Sequence, residues 1–525
     1  MNKIDIDFEM ENFHQTKKRL FEFCGQCKHI FLYGAGKYGE VCFNILKKQH
    51  ISVEGFLVTD GSDMEYLGIP VYLVKEKLQV MYPETGVIFS LKKNSQEDVK
   101  KYFTNIDNVK IFELEDSFFQ NYQLGIMVKT LKQINANAPA KMPISKPKDW
   151  RKILIIRLDA VGDMIWTTAF FRELKKNFSR SKVTLVVRKS IYPLVENCPY
   201  IDEILLYECT LRETLVCEHM DENARCFAQQ YLIKEQFDVV FLPEFLPKSP
   251  YCKLGVLLAM YSGARYRIAR AHYFEPLEKR VCLAMEDMFS VVVKHDTVEH
   301  EVLRILKLLE VCGIRIKNDK MELWLNARDE VFAKHVINRY KTDLTLFIAV
   351  APVSNDANRI WDASNYAKLI KSILSRYGNR VKFVLLGGEN AKTVSNAIET
   401  DGLGSDVLNL INGTTLSQAA ALIQYCDMYL GANTGLLHMA SVFEKPILEI
   451  SAYLRNGRAT ARLNPERVGA WHVYNRVIKP EGLENCQDCC QKPYAHCINQ
   501  ITVEEVQHEI EEMISYILEK NKKCM

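Results

Sequence analysis

The chain has 525 residues, of which 48% are apolar and 25% are charged, and its formal net charge is +3. This length exceeds what one hydrophobic core holds and predicts roughly three or four compact units. The nearly balanced charge excludes a strongly basic nucleic-acid-binding protein. The sequence has no run of about 20 apolar residues, and its polar start does not resemble a signal peptide. The 16 cysteines are mostly scattered singly, which is typical of reduced thiols in a cytoplasmic protein.

Residues 1–125 predict a small Rossmann-like α/β domain. A strand is followed by Gly34, Gly36 and Gly39 in G-x-G-x-x-G spacing and then by a helix, and the next strand ends at Asp60. In nucleotide sites such glycines let the backbone approach a pyrophosphate, and an acid about 20 residues later binds the ribose. The alternative is that the glycines serve tight packing alone, because a second βαβ half is missing from the pattern. Both interpretations stay open.

The rest of the chain predicts two further Rossmann-like units. Residues 126–150 are rich in Pro, Ala, Asn and Lys and predict a linker. In residues 151–335 and 336–500, apolar strands alternate with helices, as βα repeats require. Residues 501–525 predict a C-terminal helix and tail, in which Thr502 and Glu505 have capping-box spacing. Two tandem βα units predict two facing domains with a cleft between them.

Three consecutive strand ends in the last unit carry polar residues, and open α/β sheets bind ligands at such ends. The candidate residues are, in chain order, Ser354, Arg359, Glu389, Asn433, Thr434, Gly435 and His438. A basic side chain and helix N-termini suit phosphate, and an acid suits ribose hydroxyls. Together these strand ends predict a site for a nucleotide diphosphate.

Many segments, in order and spacing, resemble glycosyltransferase family 9, the ADP-heptose:lipopolysaccharide heptosyltransferases and their relatives. The main carriers of the resemblance are "ILIIRLDAVGDMIWTTAF", "HEVLRILKLLEVCGI", "RIWDASNYAKLI", "LLGGEN", "LINGTTLSQAAALIQYCD" and "GANTGLLHMASVFEKP". The resemblance implies an α/β fold of GT-B architecture, here preceded by the extra Rossmann-like domain. It also implies a nucleotide-diphospho-sugar donor bound by the second GT-B domain, an acceptor bound by the first, inversion at the anomeric carbon, and no cofactor for catalysis.

The resemblance also implies roles for individual residues. Asp163, the aspartate of the Gly-Asp pair, matches the position of the family's catalytic base. Its place at the start of a helix favours the ionised carboxylate. Arg359 matches the position of the family's basic residue that neutralises the diphosphate. Glu389 falls near the ribose-binding acid, and His438 falls beside the phosphates. Asp159, earlier in the same turn as Asp163, is an acceptor-side candidate.

The leading interpretation is a transferase that moves heptose or a related sugar, with ADP-heptose as the favoured donor, to a bacterial surface glycan such as lipopolysaccharide core. It implies work at the inner face of the cytoplasmic membrane, with at most peripheral association. One alternative is a non-catalytic nucleotide-sugar-binding protein, because Asn433 replaces the acid that the family usually has, and an amide cannot act as a base. The other alternative is a sugar-nucleotide epimerase of the same architecture.

A cysteine cluster near the C-terminus has the spacing of a metal site. Cys486, Cys489, Cys490 and Cys497 lie within twelve residues, with His496 adjacent. Thiolates at C-x-x-C spacing suit zinc or iron. The pattern favours a structural metal or, alternatively, a set of reduced thiols, and it does not indicate a catalytic metal.

Overall fold

The structure is a computed structural model of the chain. It describes residues 4–60, 65–91, 93–104, 106, 108–119, 121–122, 149–208, 220–243, 250–272, 288–295, 297–342, 345–352, 354, 356–400, 406–483, 486–488, 490 and 494–524. Almost all of the predicted linker lies outside these residues. The chain divides into two compact units, one of Met1–Ala138 with Cys209–Ala224 and one of Pro139–Glu208 with Arg225–Met525. None of the described helices has the length and apolar character needed to cross a membrane.

The first unit contains a six-stranded sheet in the order β3-β4-β2-β1-β5-β6, which is parallel except for the β3–β4 pair. Its strands are β1 His29–Tyr33, β2 Gly55–Val58, β3 Glu65–Tyr66, β4 Ile69–Leu73, β5 Thr85–Phe89 and β6 Val109–Glu113. Its helices are α1 Ile4–Cys24, α2 Lys37–Lys47, α3 Val74–Lys77 and α4 Lys93–Lys100. Separate apolar clusters cover the sheet, as expected when helices pack on both faces. The predicted Rossmann-like domain is confirmed.

The second unit begins with a parallel sheet in the order β12-β11-β10-β7-β8-β9. Its strands are β7 Lys152–Ile156, β8 Lys182–Arg188, β9 Glu203–Tyr207, β10 Val239–Leu242, β11 Tyr266–His272 and β12 Val291–His295. The helices in this part of the chain are α5 Val161–Asn177, α6 Met220–Phe227, α7 Pro250–Tyr261 and α8 Glu301–Glu310.

The second unit continues with another parallel sheet, in the order β15-β14-β13-β16-β17-β18. Its strands are β13 Leu346–Ala351, β14 Val381–Leu385, β15 Val407–Asn409, β16 Met428–Gly431, β17 Ile447–Ile450 and β18 Asn475–Ile478. Its helices are α9 Ala327–Asn338, α10 Ala363–Tyr377, α11 Lys392–Thr400, α12 Leu416–Tyr425, α13 Gly435–Val442, α14 Pro465–Val468 and α15 Val503–Cys524. Three sheets that are parallel apart from the β3–β4 pair confirm the predicted fold class.

Helix α10 shows how local sequence sets an element. Its apolar residues recur every three or four positions and are buried, so that this face packs on the sheet. The Asp362 carboxylate accepts from the Ser364 N–H (2.8 Å) and caps the start, and Gly378 ends the helix with φ of 56°. Helix α15 packs on α10, and its predicted capping box is present, since Glu505 N–H donates to Thr502 Oγ1 (3.2 Å) and Thr502 N–H to the Glu505 carboxylate (2.9 Å).

One apolar core joins the two sheets of the second unit. It runs from β7, β8 and β10 through α5 and α8 to α12, α13 and β16. The β7–α5 turn and the β16–α13 turn both follow the carboxyl ends of central strands. The core therefore fixes these two strand-to-helix turns relative to one another.

Candidate functional site

A buried arginine holds both acids of the β7–α5 turn. The Arg157 side chain is fully buried, and its Nη1 and Nη2 lie 3.4 Å from Asp159 Oδ2 and Asp163 Oδ1, respectively. Its Nη2 also donates to the Asp163 carbonyl (2.9 Å). The backbone N–H of Ala160 donates to Asp163 Oδ2 (3.0 Å), which caps α5. The Asp163 side chain keeps 25% of its surface exposed, so a fixed carboxylate remains open to a ligand.

The two acids of this turn have different environments. The Asp159 side chain is only 12% exposed, and the Cys252 thiol lies 3.6 Å from its Oδ1. Arg188 donates to the carbonyls of Leu158 (2.6 Å) and Asp159 (2.7 Å) and thereby fixes the turn. Asp163 is the more accessible of the two. The sequence analysis did not identify Arg157 as a site residue, although a charged residue that ends an apolar strand before two acids is a usable signal.

The N-termini of α5 and α13 contact each other through two glycines. A Cβ atom added at Gly162 would lie 2.7 Å from His438 Cδ2, and one added at Gly435 would lie 2.3 Å from Val161 Cγ1. The imidazole of His438 also meets the Trp166 ring edge-on, with ring centroids 4.7 Å apart. Any side chain at either glycine would separate the helices. The glycines therefore bring two positive helix ends to one place.

Burial keeps the histidines of this contact neutral. His438 is 2% exposed, and burial, with a smaller contribution from His300, lowers its pKa to about 3. Burial likewise lowers the pKa of His300 to about 4; its ring stacks on Trp471 with centroids 4.3 Å apart. The family resemblance implies that His438 lies beside the donor phosphates, and this role stays a prediction. In the structure this residue packs the two helices together, and its ring carries no positive charge at neutral pH.

A small open pocket lies at the ends of β16 and β17. Its lining residues are Arg359, Ala432, Asn433, Ile450, Ser451, Ala452, Tyr453 and Leu463. Arg359 Nη2 donates to the carbonyl of Asn433 (2.9 Å), and its Nη1 lies 3.4 Å from Asp356 Oδ2. The structure thus brings together Arg359 and Asn433 from the predicted donor set. A guanidinium in a small pocket beside a helix start can bind an anion.

The other predicted donor residues lie around this pocket or apart from it. Thr434 and Gly435 begin α13. Ser354 is buried, and its hydroxyl accepts from the N–H of Asp356 (3.4 Å). The Glu389 side chain is 74% exposed; it pairs with Lys392 at 2.5 Å and accepts from Asn412 (2.6 Å). Glu389 does not line the pocket, and its predicted role in ribose binding stays a prediction.

The glycine turn of the first unit shows features of both interpretations. A Cβ added at Gly39 would lie 2.0 Å from the Gly34 carbonyl oxygen, so this glycine is needed for packing between the strand end and α2. Gly34 has φ of 109°, a conformation that favours glycine. A Cβ at Gly36 would meet nothing within 4 Å, which leaves room beside the start of α2. Asp60 follows β2, as predicted, and nucleotide binding at this turn stays a prediction.

The described residues of the cysteine cluster lie close together. Cys486, Cys490, His496 and Cys497 place their ligand atoms within 4.8 Å of one another, and Cys490 and Cys497 are buried. His496 Nδ1 lies 4.0, 3.5 and 3.4 Å from the sulfurs of Cys486, Cys490 and Cys497. Cys489, which the sequence analysis included, lies outside the described residues. The set that the structure describes is therefore three thiols and one imidazole.

Comparisons with known proteins agree with this architecture. The family model of glycosyltransferase family 9 (heptosyltransferase) matches residues 283–479. The chain is 22% identical over 343 residues to lipopolysaccharide core heptosyltransferase OpsX of Haemophilus influenzae, which covers 65% of this chain and 88% of that protein. It is 23% identical to lipooligosaccharide heptosyltransferase 2 of Haemophilus ducreyi, with 58% of this chain and 83% of that protein covered.

Two solved structures share the fold. One is a family 9 glycosyltransferase from Veillonella parvula, with a TM-score of 0.56, 19% identity, and coverage of 73% of this chain and all of the other. The second is the ADP-heptose lipopolysaccharide heptosyltransferase II of E. coli, with a TM-score of 0.51, 17% identity, and coverage of 70% and 99%. The resemblance seen in the sequence is confirmed.

Proposed function

We propose that the chain is a glycosyltransferase of the family 9 type that transfers heptose or a related sugar from a nucleotide-diphospho-sugar, ADP-heptose being favoured, to a bacterial surface glycan. The names of its curated relatives support a lipopolysaccharide core or similar glycan as the acceptor. The observation that carries the proposal is the contact between the N-termini of α5 and α13, which joins the Asp163 turn to the turn that borders the Arg359 pocket.

The mechanism follows from the two turns. Asp163 accepts the proton of an acceptor hydroxyl while that oxygen bonds to the anomeric carbon. The bond from this carbon to the diphosphate breaks on the opposite face, so the configuration inverts and the nucleotide diphosphate leaves with the electron pair. Arg359 and the N-terminus of α13 stabilise the charge that grows on the leaving group. Arg157 holds the base in place, and we propose that the transfer needs no catalytic metal.

The proposed acceptor determines where in the cell the transfer takes place. A lipopolysaccharide core is carried on a lipid, and its nucleotide-sugar donors are cytoplasmic metabolites. We therefore propose that the chain works at the inner face of the cytoplasmic membrane and associates with it peripherally.

A donor panel tests the proposed function. We expect an ADP-sugar to raise the melting temperature more than GDP- or UDP-sugars, because a ligand that binds only the folded state stabilises it by mass action. We also expect nucleotide diphosphate to be released only when a glycan acceptor is added. Binding without release would favour the non-catalytic alternative. Conversion of the sugar nucleotide into another sugar nucleotide without an acceptor would favour the epimerase. If none of the ADP-, GDP- and UDP-sugars binds, the proposal is contradicted.

We also propose that Cys486, Cys490, His496 and Cys497 hold a structural zinc or iron ion. Bond lengths of about 2.3 Å to sulfur and 2.1 Å to nitrogen give tetrahedron edges of about 3.5–3.8 Å. The distances of 3.4–4.0 Å from His496 Nδ1 to the sulfurs, and of 3.9 Å between the sulfurs of Cys486 and Cys490, are close to these edges. The chemistry of three thiolates and one imidazole suits either metal.

The cysteine loop supports the turn that carries Arg359. The side-chain amide of Asn358 donates to the carbonyl of Cys490 (2.8 Å), and Asn358 directly precedes Arg359. Asp488, in the same loop, accepts from the N–H (2.7 Å) and guanidinium of Arg458. Loss of the metal would therefore loosen a wall of the donor pocket as well as the loop.

Metal removal tests this second proposal. We expect about one zinc or iron per chain by elemental analysis, and a melting temperature about 5–10 °C lower after chelation, because metal binding and folding of such a loop are coupled. We expect Cys490→Ser to lose the metal. We expect ADP to bind this variant about tenfold more weakly than wild type, a loss of about 1.4 kcal/mol of binding free energy. Cys226→Ser, at an exposed thiol outside the cluster, is the matched control. Wild-type protein without metal, or chelation that changes neither quantity, would contradict the proposal.

A further inference from the structure

A buried glutamate lies next to the donor pocket and has no role in the mechanism above. Glu449 stands in the otherwise apolar strand β17 and pairs in register with Gly431 of β16. Its side chain is 1% exposed. A carboxyl group in such a place costs free energy unless neighbouring polar groups compensate it. The polar groups that contact Glu449 therefore indicate what its carboxyl group does.

The main partner of Glu449 is the amide of Asn433. Asn433 Nδ2 donates to Glu449 Oε1 (3.3 Å) and to the carbonyl of Val468 (3.0 Å). Both amide protons are thus engaged by these two described acceptors. The amide oxygen is left as the acceptor that Asn433 can present to the pocket it lines. Glu449 and Val468 therefore set which way the amide faces.

The same contacts reach the cation of the pocket. Arg359 donates to the carbonyl of Asn433 (2.9 Å), so Glu449, Asn433 and Arg359 form one connected chain of polar groups. Burial raises the pKa of Glu449, while hydrogen bonds from Asn433 and Ser451 and the charges of Arg359 and Lys479 oppose the rise. A second carboxyl group at position 433 would face Glu449 at about hydrogen-bond distance, and two buried carboxylates this close repel each other.

We propose that Glu449 is a positioning residue of the donor pocket: it turns the Asn433 amide so that its oxygen accepts a hydrogen bond from a hydroxyl of the bound nucleotide-sugar. The pair also explains the amide at position 433, because one carboxyl and one amide satisfy each other where two carboxyls would not. The inference rests on the proposed function of the pocket. It adds Glu449 as a determinant of donor affinity and makes the identities of residues 433 and 449 interdependent.

An exchange of the two side-chain types tests the inference. We expect Asn433→Asp to raise KM for the nucleotide-sugar at least tenfold and to lower the melting temperature, because the two acids crowd each other. Glu449→Gln keeps an oxygen that can accept from Asn433, so its KM should change about threefold or less. In the double variant N433D/E449Q the new amide donates to the new carboxylate, while the Val468 carbonyl still lacks its donor, so KM should fall at least threefold below that of Asn433→Asp. Glu444→Gln, at an exposed acid paired with Lys320, is the control and should change nothing.

The melting temperature of the free variants separates this inference from the proposed function. Recovery of stability in the double variant tests the pair without any ligand, and recovery of KM tests its effect on the donor. A double variant no better than Asn433→Asp in either quantity would overturn the inference, even if wild-type protein turns over a sugar nucleotide. Recovery of stability alone would also overturn it, since the pair would then be structural only. Wild-type protein that binds no sugar nucleotide would remove the proposed function and, with it, the role in donor binding.

Discussion

Asp163→Asn is expected to lower kcat by about 10²- to 10⁴-fold, which is the usual contribution of a positioned general base. The side-chain oxygen of asparagine can still accept from the N–H of Ala160, so the start of α5 keeps its cap. The amide cannot take up a proton from the acceptor hydroxyl. We therefore expect ADP to bind this variant within about threefold of wild type, by calorimetry, while release of nucleotide diphosphate in the presence of acceptor is lost.

Asp159→Asn is the matched comparison, because the same guanidinium of Arg157 contacts both carboxylates. If Asp159 acts on the acceptor side, its loss should raise KM for the acceptor and leave kcat within about tenfold of wild type. Equal loss of kcat in both variants would point to disruption of the shared turn. Turnover of Asp163→Asn at the wild-type rate would rule out Asp163 as the base.

Arg359→Ala is expected to weaken ADP binding by about 30- to 150-fold, because a hydrogen bond to a charged group contributes about 2–3 kcal/mol. The guanidinium lines the pocket and is oriented by its bond to the Asn433 carbonyl. Adenosine, which lacks the diphosphate, should bind the variant and the wild type equally. Calorimetric titration with both ligands measures the difference.

Two further variants serve as comparisons for Arg359→Ala. Arg359→Lys keeps the charge but not the forked geometry, and we expect it to recover only part of the ADP affinity. Arg380→Ala removes an exposed arginine that donates to the Tyr377 carbonyl and lies over the Tyr377 ring, and the variant should bind ADP as wild type does. Equal weakening of ADP and adenosine binding by Arg359→Ala would indicate a collapsed pocket instead of a lost phosphate contact.

Local sequence patterns determined much of this protein's secondary structure. The apolar period of residues 363–377 places α10, and side chains within the same few residues cap its ends. The glycine turns and the capping box before α15 are also local, since every partner lies within a few positions along the chain. The approximate limits of the three sheets follow from strands that are apolar because both of their faces are covered. Ordered motifs along residues 152–518 were enough to indicate the family.

Only the tertiary structure decided which residues meet across long sequence separations. Arg157 contacts Asp163 six positions away, but Gly162 meets His438, Asn433 meets Glu449, and Asn358 meets Cys490, through folding of distant segments. Burial is also a tertiary property: it lowers the pKa of His438 to about 3, and the contact of this residue with the donor phosphates stays a prediction. The fold likewise places the buried Glu449 beside the Asn433 amide at the pocket. Local sequence specifies turns and periods because their energies come from near neighbours, whereas the charge state and partners of a side chain depend on what the fold packs against it.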